Sequence, residues 1–307
     1  MIMQIIECVP NFSEGRRKDI IEDIVSCFKN KKGVYLLDYR ADEDHNRLVI
    51  SLIGAPQPIQ DSLIEAAKIA QININMNTHQ GAHPRIGAID VVPFTPIKNI
   101  SMQECVDIAH SFSKRYYEET NIPVYYYEDA AIIPNRKKLE VIRKGEYETL
   151  KEEVKNNPLR KPDVGSNSLH PTSGATVIGA RKFLVAFNVN LNTSELDIAK
   201  KIANNVRASS GGLAFVKGIG LSLDERKIVQ VSLNLVDYEK NSLYRVLELI
   251  KIEAKRWGVS VLETEVYGMI PAQALIESAA YYLQITDFKM DQVLELRLLD
   301  IMGRELE

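Results

Sequence analysis

The chain has 307 residues, of which 45% are hydrophobic and 26% charged, and a formal net charge of -3. This is the composition of a water-soluble globular protein with room for two domains or one large one. So small a net charge excludes a global basic field. No nucleic-acid or membrane partner is expected, and an anionic ligand would need a local cluster of cations.

The N-terminal residues, MIMQIIECVPNFSEG, lack a basic leader, and no apolar run approaches membrane length. Cys8, Cys27 and Cys105 are odd in number, lie in apolar stretches and show no metal-type spacing. That pattern points to packed, reduced thiols, and the expected location is the cytoplasm. Residues 3–9 read as a strand. NFSEG, residues 11–15, is a turn in which Asn11 or Ser13 is the expected cap of an amphipathic helix at 16–29. Strands at 33–38 and 47–53 flank a polar hairpin, a helix covers 58–70, and a strand covers 88–94. The order is β-α-β-β-α-β, which builds a four-stranded antiparallel sheet with helices on one face. A helix at 102–120 and a strand at 123–127 extend it.

Residues 135–167 are charged and rich in Lys, Pro and Asn, and read as a connector with short helices. The same order then recurs: strand 182–189, helix 193–207, strands 213–218 and 227–235, helix 242–257, strand 260–267. Helices at 272–283 and 290–299 follow. The expected fold class is α/β of the α+β type. Two β-α-β-β-α-β sandwich subdomains, residues 1–178 and 179–307, carry mainly antiparallel sheets with helices packed on one face. A crevice between two such sheets is a natural ligand site.

Three polar constellations interrupt this pattern. HQGAHPRIGAIDVVPF, residues 79–94, sets His79, His83 and Arg85 on a Gly/Pro bend ahead of an apolar strand. Gly81 and Pro84 rule out a helical zinc motif, and Pro84 holds His83 extended. Titratable groups on a stiff bend beside a core strand suit acid–base chemistry, whereas the plainer alternative is a turn-capping histidine and a solvated one. The hairpin DYRADEDHNR, residues 38–47, packs Asp38, Asp42, Asp44 and His45 ahead of Arg47. It is either a solvated acidic turn or a carboxylate site for a cationic group. The loop VGSNSLHPTSGATVIGARK, residues 164–182, lacks the Lys-Ser/Thr of a phosphate-binding loop, so nucleotide binding is unsupported. A last stretch, NRKKLEVIRKGEYE at 135–148, concentrates cations, as a solvated helix or as a wall for carboxylates.

Taken together, ECVPNFSEG, the hairpin ending HNR, HPRIGAIDVVPF, IRKGEYE and GATVIGARKFLVAFNVNL resemble the glutamate formimidoyltransferase family. The resemblance runs through essentially the whole chain and implies transfer of the formimidoyl group from N-formimidoyl-L-glutamate to N5 of tetrahydrofolate, in histidine degradation. Tetrahydrofolate is then a co-substrate, and no metal is called for. The resemblance makes His83 the catalytic histidine, and a carboxylate that favours the cationic form of the amidine, Asp38 or Asp42, is expected to assist it. The resemblance makes Gly165, Ser166, Asn167, Ser168, Leu169, His170, Pro171, Thr172, Ser173 and Gly174 the folate loop. Arg47, Arg85 and Arg181 are candidates for substrate carboxylates. A homodimer is implied, with a separate cyclodeaminase processing the product. The chain departs from the pattern of the family's animal members at Arg40, where they carry an acid, and at Ala82, where they often carry Glu. It departs again at Thr172 or Ser173, which replace an aromatic. Formyl transfer from N-formylglutamate, a metal-dependent formimidoylglutamate hydrolase, and a folate-binding protein without turnover are the competing readings.

Overall fold

The computed structural model describes residues 3–305, with side chains through residue 301. The chain divides into two compact units, Met1–Arg181 and Lys182–Glu307.

In unit 1, β1 (Ile5–Cys8) and β2 (Asn11–Phe12) are one strand interrupted at Pro10, which has no N–H to give the ladder. Then come α1 (Lys18–Ser26), β3 (Val34–Asp42), β4 (Arg47–Gly54), α2 (Pro56–Asn73) and β5 (Ile89–Lys98). Strands β3, β4, β1/β2 and β5 lie side by side, all antiparallel. This is the expected β-α-β-β-α-β unit. Alternation along β4 puts Leu48, Ile50 and Leu52 into a core with Ile24 of α1 and Leu63 of α2. The expected cap of α1 is replaced. Ser13 is buried and donates its hydroxyl to the Gly87 carbonyl, while the Glu14 carboxylate accepts the N–H groups of Arg16 and Arg17.

Helix α3 (Met102–Thr120) opens with a capping box formed by Ser101 and Glu104, and β6 (Val124–Glu128) follows. The connector folds into short helices, among them α4 (Leu139–Ile142) and α5 (Glu146–Asn156). These close the second face of the sheet, where Ile142 and Leu150 pack on Val91, Tyr125, Tyr127 and Val177. Helices therefore lie on both faces here, rather than on one. A strand within the stretch that the sequence pattern reads as a loop, β7 (Thr176–Ala180), runs between β5 and β6, parallel to both. It straddles the expected boundary at residue 178, and unit 1 continues to Arg181.

Unit 2 repeats the order with β8 (Val185–Leu191), α6 (Leu196–Val206), β9 (Val216–Leu223), β10 (Ile228–Leu235), α7 (Leu243–Arg256) and β11 (Val261–Tyr267). The sheet order is β11-β8-β10-β9, antiparallel throughout. Val189, Val231 and Leu233 form the core with Ile202 and Ile250. Helices α8 (Ala272–Tyr282) and α9 (Leu294–Glu305) follow. Among the described residues no helix is long and apolar enough to cross a membrane. Cys8, Cys27 and Cys105 are buried free thiols.

Candidate active site

The polar bend after α2 is held against the β3–β4 hairpin by one side chain. Asn46, in a left-handed conformation, accepts the Gly15 N–H through Oδ1 at 2.9 Å and donates Nδ2 to the Gln80 carbonyl at 2.9 Å. Its own carbonyl accepts from His79 Nε2 at 3.1 Å. The Ala82 N–H donates to the Asp44 carbonyl at 3.1 Å. An approach this close needs Gly81, where a Cβ would stand 2.2 Å from the His45 carbonyl oxygen. At its other end the bend joins the sheet, with the Ala88 N–H on the Ser173 carbonyl and the Ala175 N–H on the Ile86 carbonyl.

The two histidines of the bend are not equivalent. His79 gives Nε2–H to Asn46 and accepts from Arg85 Nε through Nδ1 at 3.2 Å, so both ring nitrogens are occupied by protein. Burial holds it neutral, below its ordinary pKa. Arg85 is buried and ion-paired with Glu146 at 2.6 Å and Glu148 at 2.7 Å. The side chain expected to bind a substrate carboxylate therefore already binds two protein carboxylates, and fastens α5 to the bend.

His83 is partly buried, and Arg47 Nη1 lies 2.5 Å from its Nε2. A guanidinium only donates, so Nε2 is the acceptor and the ring is neutral. Burial, followed by the charges of Arg47 and Arg143, lowers its pKa to about 3; a hydrogen bond to the Pro84 carbonyl opposes them. His45 stands edge-on to His83, with ring centroids 6.1 Å apart. Residues His45, Arg47, His79, His83, Arg85 and Asp90 line one cleft with Phe12, Ser13 and Asn46.

The predicted carboxylates separate. Asp42 accepts the His45 N–H and pairs with Nδ1 of His45, a cleft-lining residue, each at 2.8 Å. Asp38 lies four positions back along β3, roughly 13 Å away at strand spacing, and pairs with Arg40. Reasoning from sequence missed Asp90, which is buried, accepts the Ile86 N–H at 2.7 Å and forms an ion pair with Arg143. A lone acid within the apolar run IGAIDVVPF was the available signal.

Of the expected folate loop, residues 170–174 form a tight hairpin. The His170 N–H donates to the Gly174 carbonyl, and His170 Nδ1 accepts the Ser173 N–H. Gly174 bridges to Gly87, four residues after His83. Residues 165–168 are exposed, with Gly165 against Tyr117 of α3. Arg181 lies further along the sheet: its N–H meets the Phe94 carbonyl, roughly 16 Å along β5 from Ile89. The positive charge of Arg181 opposes the rise that burial imposes on the Tyr127 hydroxyl pKa. Among the described residues no three His, Cys, Asp or Glu side chains are placed to hold a metal ion.

The fold and this cleft define a two-unit α+β protein with a neutral imidazole set among guanidinium groups. Residues 5–181 match the family model for the formiminotransferase domain, N-terminal subdomain, and residues 186–301 match that for the formiminotransferase domain. The chain is 49% identical to a glutamate formimidoyltransferase of Streptococcus pyogenes serotype M1, covering 96% of this chain and 99% of that one. It is 45% identical to a glutamate formimidoyltransferase of Thermoplasma acidophilum, covering 95% and 97%. It is 42% identical to a formimidoyltransferase-cyclodeaminase of Mus musculus, covering 91% of this chain and 52% of that one. The chain belongs to the formiminotransferase family.

Proposed function

We propose that this chain transfers the formimidoyl group of N-formimidoyl-L-glutamate to N5 of tetrahydrofolate and releases L-glutamate, a step of histidine degradation. The observation that carries the reading is His83, a neutral imidazole with an accepting nitrogen in a cationic cleft. The match to relatives named for this transfer supports it along the whole chain.

N5 of the folate attacks the formimidoyl carbon and becomes acidic as it gains positive charge. His83 Nε2 takes that proton, and the imidazolium then delivers it to the nitrogen of glutamate as the carbon–nitrogen bond breaks. The proton count closes, with glutamate leaving as the amine. Asp42, half exposed beside His45, is the hairpin carboxylate placed to favour a cationic amidine. Arg47 and Arg143 supply the positive field for the donor's two carboxylates, and Arg181 for the folate tail. Residues 165–174 are the proposed folate loop. The reading calls for tetrahydrofolate as co-substrate and for no metal. It places the protein in the cytoplasm as a homodimer, with the product consumed by a cyclodeaminase, the second activity in the mouse relative's name.

The test is glutamate release from N-formimidoyl-L-glutamate with and without tetrahydrofolate, with N-formylglutamate run in parallel. Release is expected only when the formimidoyl donor and folate are both present. Release without folate would point to a hydrolase, preference for the formyl donor to formyl transfer, and folate binding without turnover to a carrier. Each of these outcomes overturns the proposal.

A further inference from the structure

The bend that carries His83 stands on two feet. Met76 and Ala88 are buried at its ends, and residues 77–84 between them are exposed or partly so. The Met76 N–H donates to the Thr172 carbonyl at 2.7 Å, and the Ala88 N–H to the Ser173 carbonyl at 2.9 Å. Asn77 Nδ2 adds a bond to the Pro171 carbonyl at 2.8 Å. Successive carbonyls of one hairpin therefore hold both ends of the bend, and the place of His83 depends on the shape of residues 170–174.

One imidazole closes that shape. His170 and Gly174 exchange backbone hydrogen bonds, at 2.8 and 3.1 Å. Within the turn, the Ser173 N–H donates to His170 Nδ1 at 3.1 Å. Ser173 is fully buried, so its N–H has no water to turn to if that acceptor is lost. It is also the residue whose carbonyl holds Ala88. His170 Nε2 meets the side-chain amide of Gln71 on α2 at 3.0 Å, and that amide donates to the Thr120 carbonyl at the end of α3. Both nitrogens of the ring are thus engaged by protein. Burial lowers the His170 pKa, which keeps the ring neutral and Nδ1 an acceptor.

We propose that His170 is a positioning residue for His83, acting through the Ser173 N–H and the hairpin carbonyls that hold the bend. The inference rests on the transferase reading and goes beyond it, because it gives one residue of the proposed folate loop a task that needs no contact with folate. Without an acceptor at position 170, the Ser173 peptide turns toward another partner. The neighbouring carbonyls move with it, and both feet of the bend shift. His83 then meets N5 and the leaving nitrogen out of line, and a misplacement of about 1 Å can cost about 100-fold in rate.

The experiment compares His170→Ala with His170→Asn. The Asn side-chain oxygen is bonded to Cγ, as Nδ1 is, and can accept the same N–H, whereas Ala has no acceptor. Glutamate release gives kcat and the KM for tetrahydrofolate. His170→Ala is expected to lower kcat at least about tenfold while KM changes less than about threefold. His170→Asn is expected to restore kcat to within about threefold of the wild type. The ¹⁵N-labelled imidazoles supply a second readout, with His83 assigned by its absence in His83→Gln. Its resonances are expected to be displaced in His170→Ala and to return in His170→Asn. A raised KM at unchanged kcat in His170→Ala would make His170 a folate contact and overturns the proposal. An Asn variant as slow as the Ala variant overturns it, and so do unmoved His83 resonances. If His170→Ala does not fold, His170→Gln takes its place: its oxygen lies one bond farther out, and the same losses are expected. Wild-type kcat there overturns the proposal. Failure of the transferase reading is separable. The wild type then releases no glutamate with both substrates present, while the His83 resonances still report whether His170 positions the bend.

Discussion

The two units share one β-α-β-β-α-β order and differ in what joins their elements. All five histidines, His45, His79, His83, His110 and His170, lie in unit 1, and residues 182–307 contain none. In unit 1, residues 74–88 join α2 to β5 and form the bend that carries His79, His83 and Arg85. In unit 2 the equivalent connection, from α7 to β11, is residues 257–260, and the Trp257 and Gly258 N–H groups simply bond back to the end of α7. The hairpins differ in the same way. Asn46 reaches out of its hairpin to fasten the bend. Arg226, in the β9–β10 hairpin, turns back onto its own sheet to pair with Glu263 and Glu265, beside the buried Asn190 and Gln230 that hydrogen-bond the same acids. One scaffold has been used twice, and the imidazoles are confined to the copy with the long polar connection.

If unit 1 holds the chemistry, the largest effect should come from His83. His83→Gln is expected to lower turnover by a factor on the order of 10²–10⁴ while tetrahydrofolate binding is retained, measured by glutamate release and fluorescence titration. Turnover near that of the wild type would remove the distinction between the units. Next is Asp90→Asn, which leaves the mostly buried Arg143 without its ionised partner. Breaking a buried pair from one side costs about 3–5 kcal/mol, which urea denaturation reads directly. A loss below about 1 kcal/mol would mean that this pair is not what anchors the end of α4 to β5.

Glu7 tests a different part of unit 1. It is buried on β1, and burial raises its pKa from 4.5 to about 7, with Arg181 pulling the other way. The folded state therefore keeps a proton that the unfolded chain releases. The associated stability is full below pH 4.5 and is lost as pH rises through about 7. Glu7→Gln removes the ionisation and is expected to gain about 3 kcal/mol over the wild type at pH 8, with little gain at pH 4.5. Equal differences at the two pH values would refute burial as the cause.

Most of the element order was legible because the periodicities are strong. Helix α3 lies at 102–120 as read, and both β-α-β-β-α-β units are present. What escaped was set by contacts distant in sequence. Thr176–Ala180 reads as the tail of a Gly-rich loop, and only pairing with β5 and β6 makes it a central strand. Ser13 is a good cap by residue type, but its hydroxyl is claimed by Gly87, 74 positions away, and Glu14 takes the capping role. His83 was legible from Pro84 and the bend, together with family resemblance. Burial does most to keep it neutral, and the guanidinium groups that add to that, Arg47 and Arg143, arrive from β4 and from the end of α4, with no spacing rule relating them.

The smallest predicted effects come from a pair of glycines in the two equivalent connections. At Gly81 a Cβ would meet the His45 backbone, so Gly81→Ala must lift the bend off the hairpin. A cost of about 1–3 kcal/mol is expected from the overpacking. Turnover should fall about tenfold, because His83 sits two residues on and small misplacements of a catalytic group are costly. At Gly258 the backbone is left-handed, with φ +68, and a Cβ would meet nothing within 4 Å. Gly258→Ala should cost about 1 kcal/mol through backbone conformation alone. Gly258→Asn should recover most of that, since Asn tolerates the left-handed region. Neither change at 258 should alter turnover. The measurements are urea midpoints and initial rates on all three variants. If Gly258→Ala lowers the rate as much as Gly81→Ala does, the tight turn of unit 2 is as much a part of the catalytic machinery as the bend of unit 1.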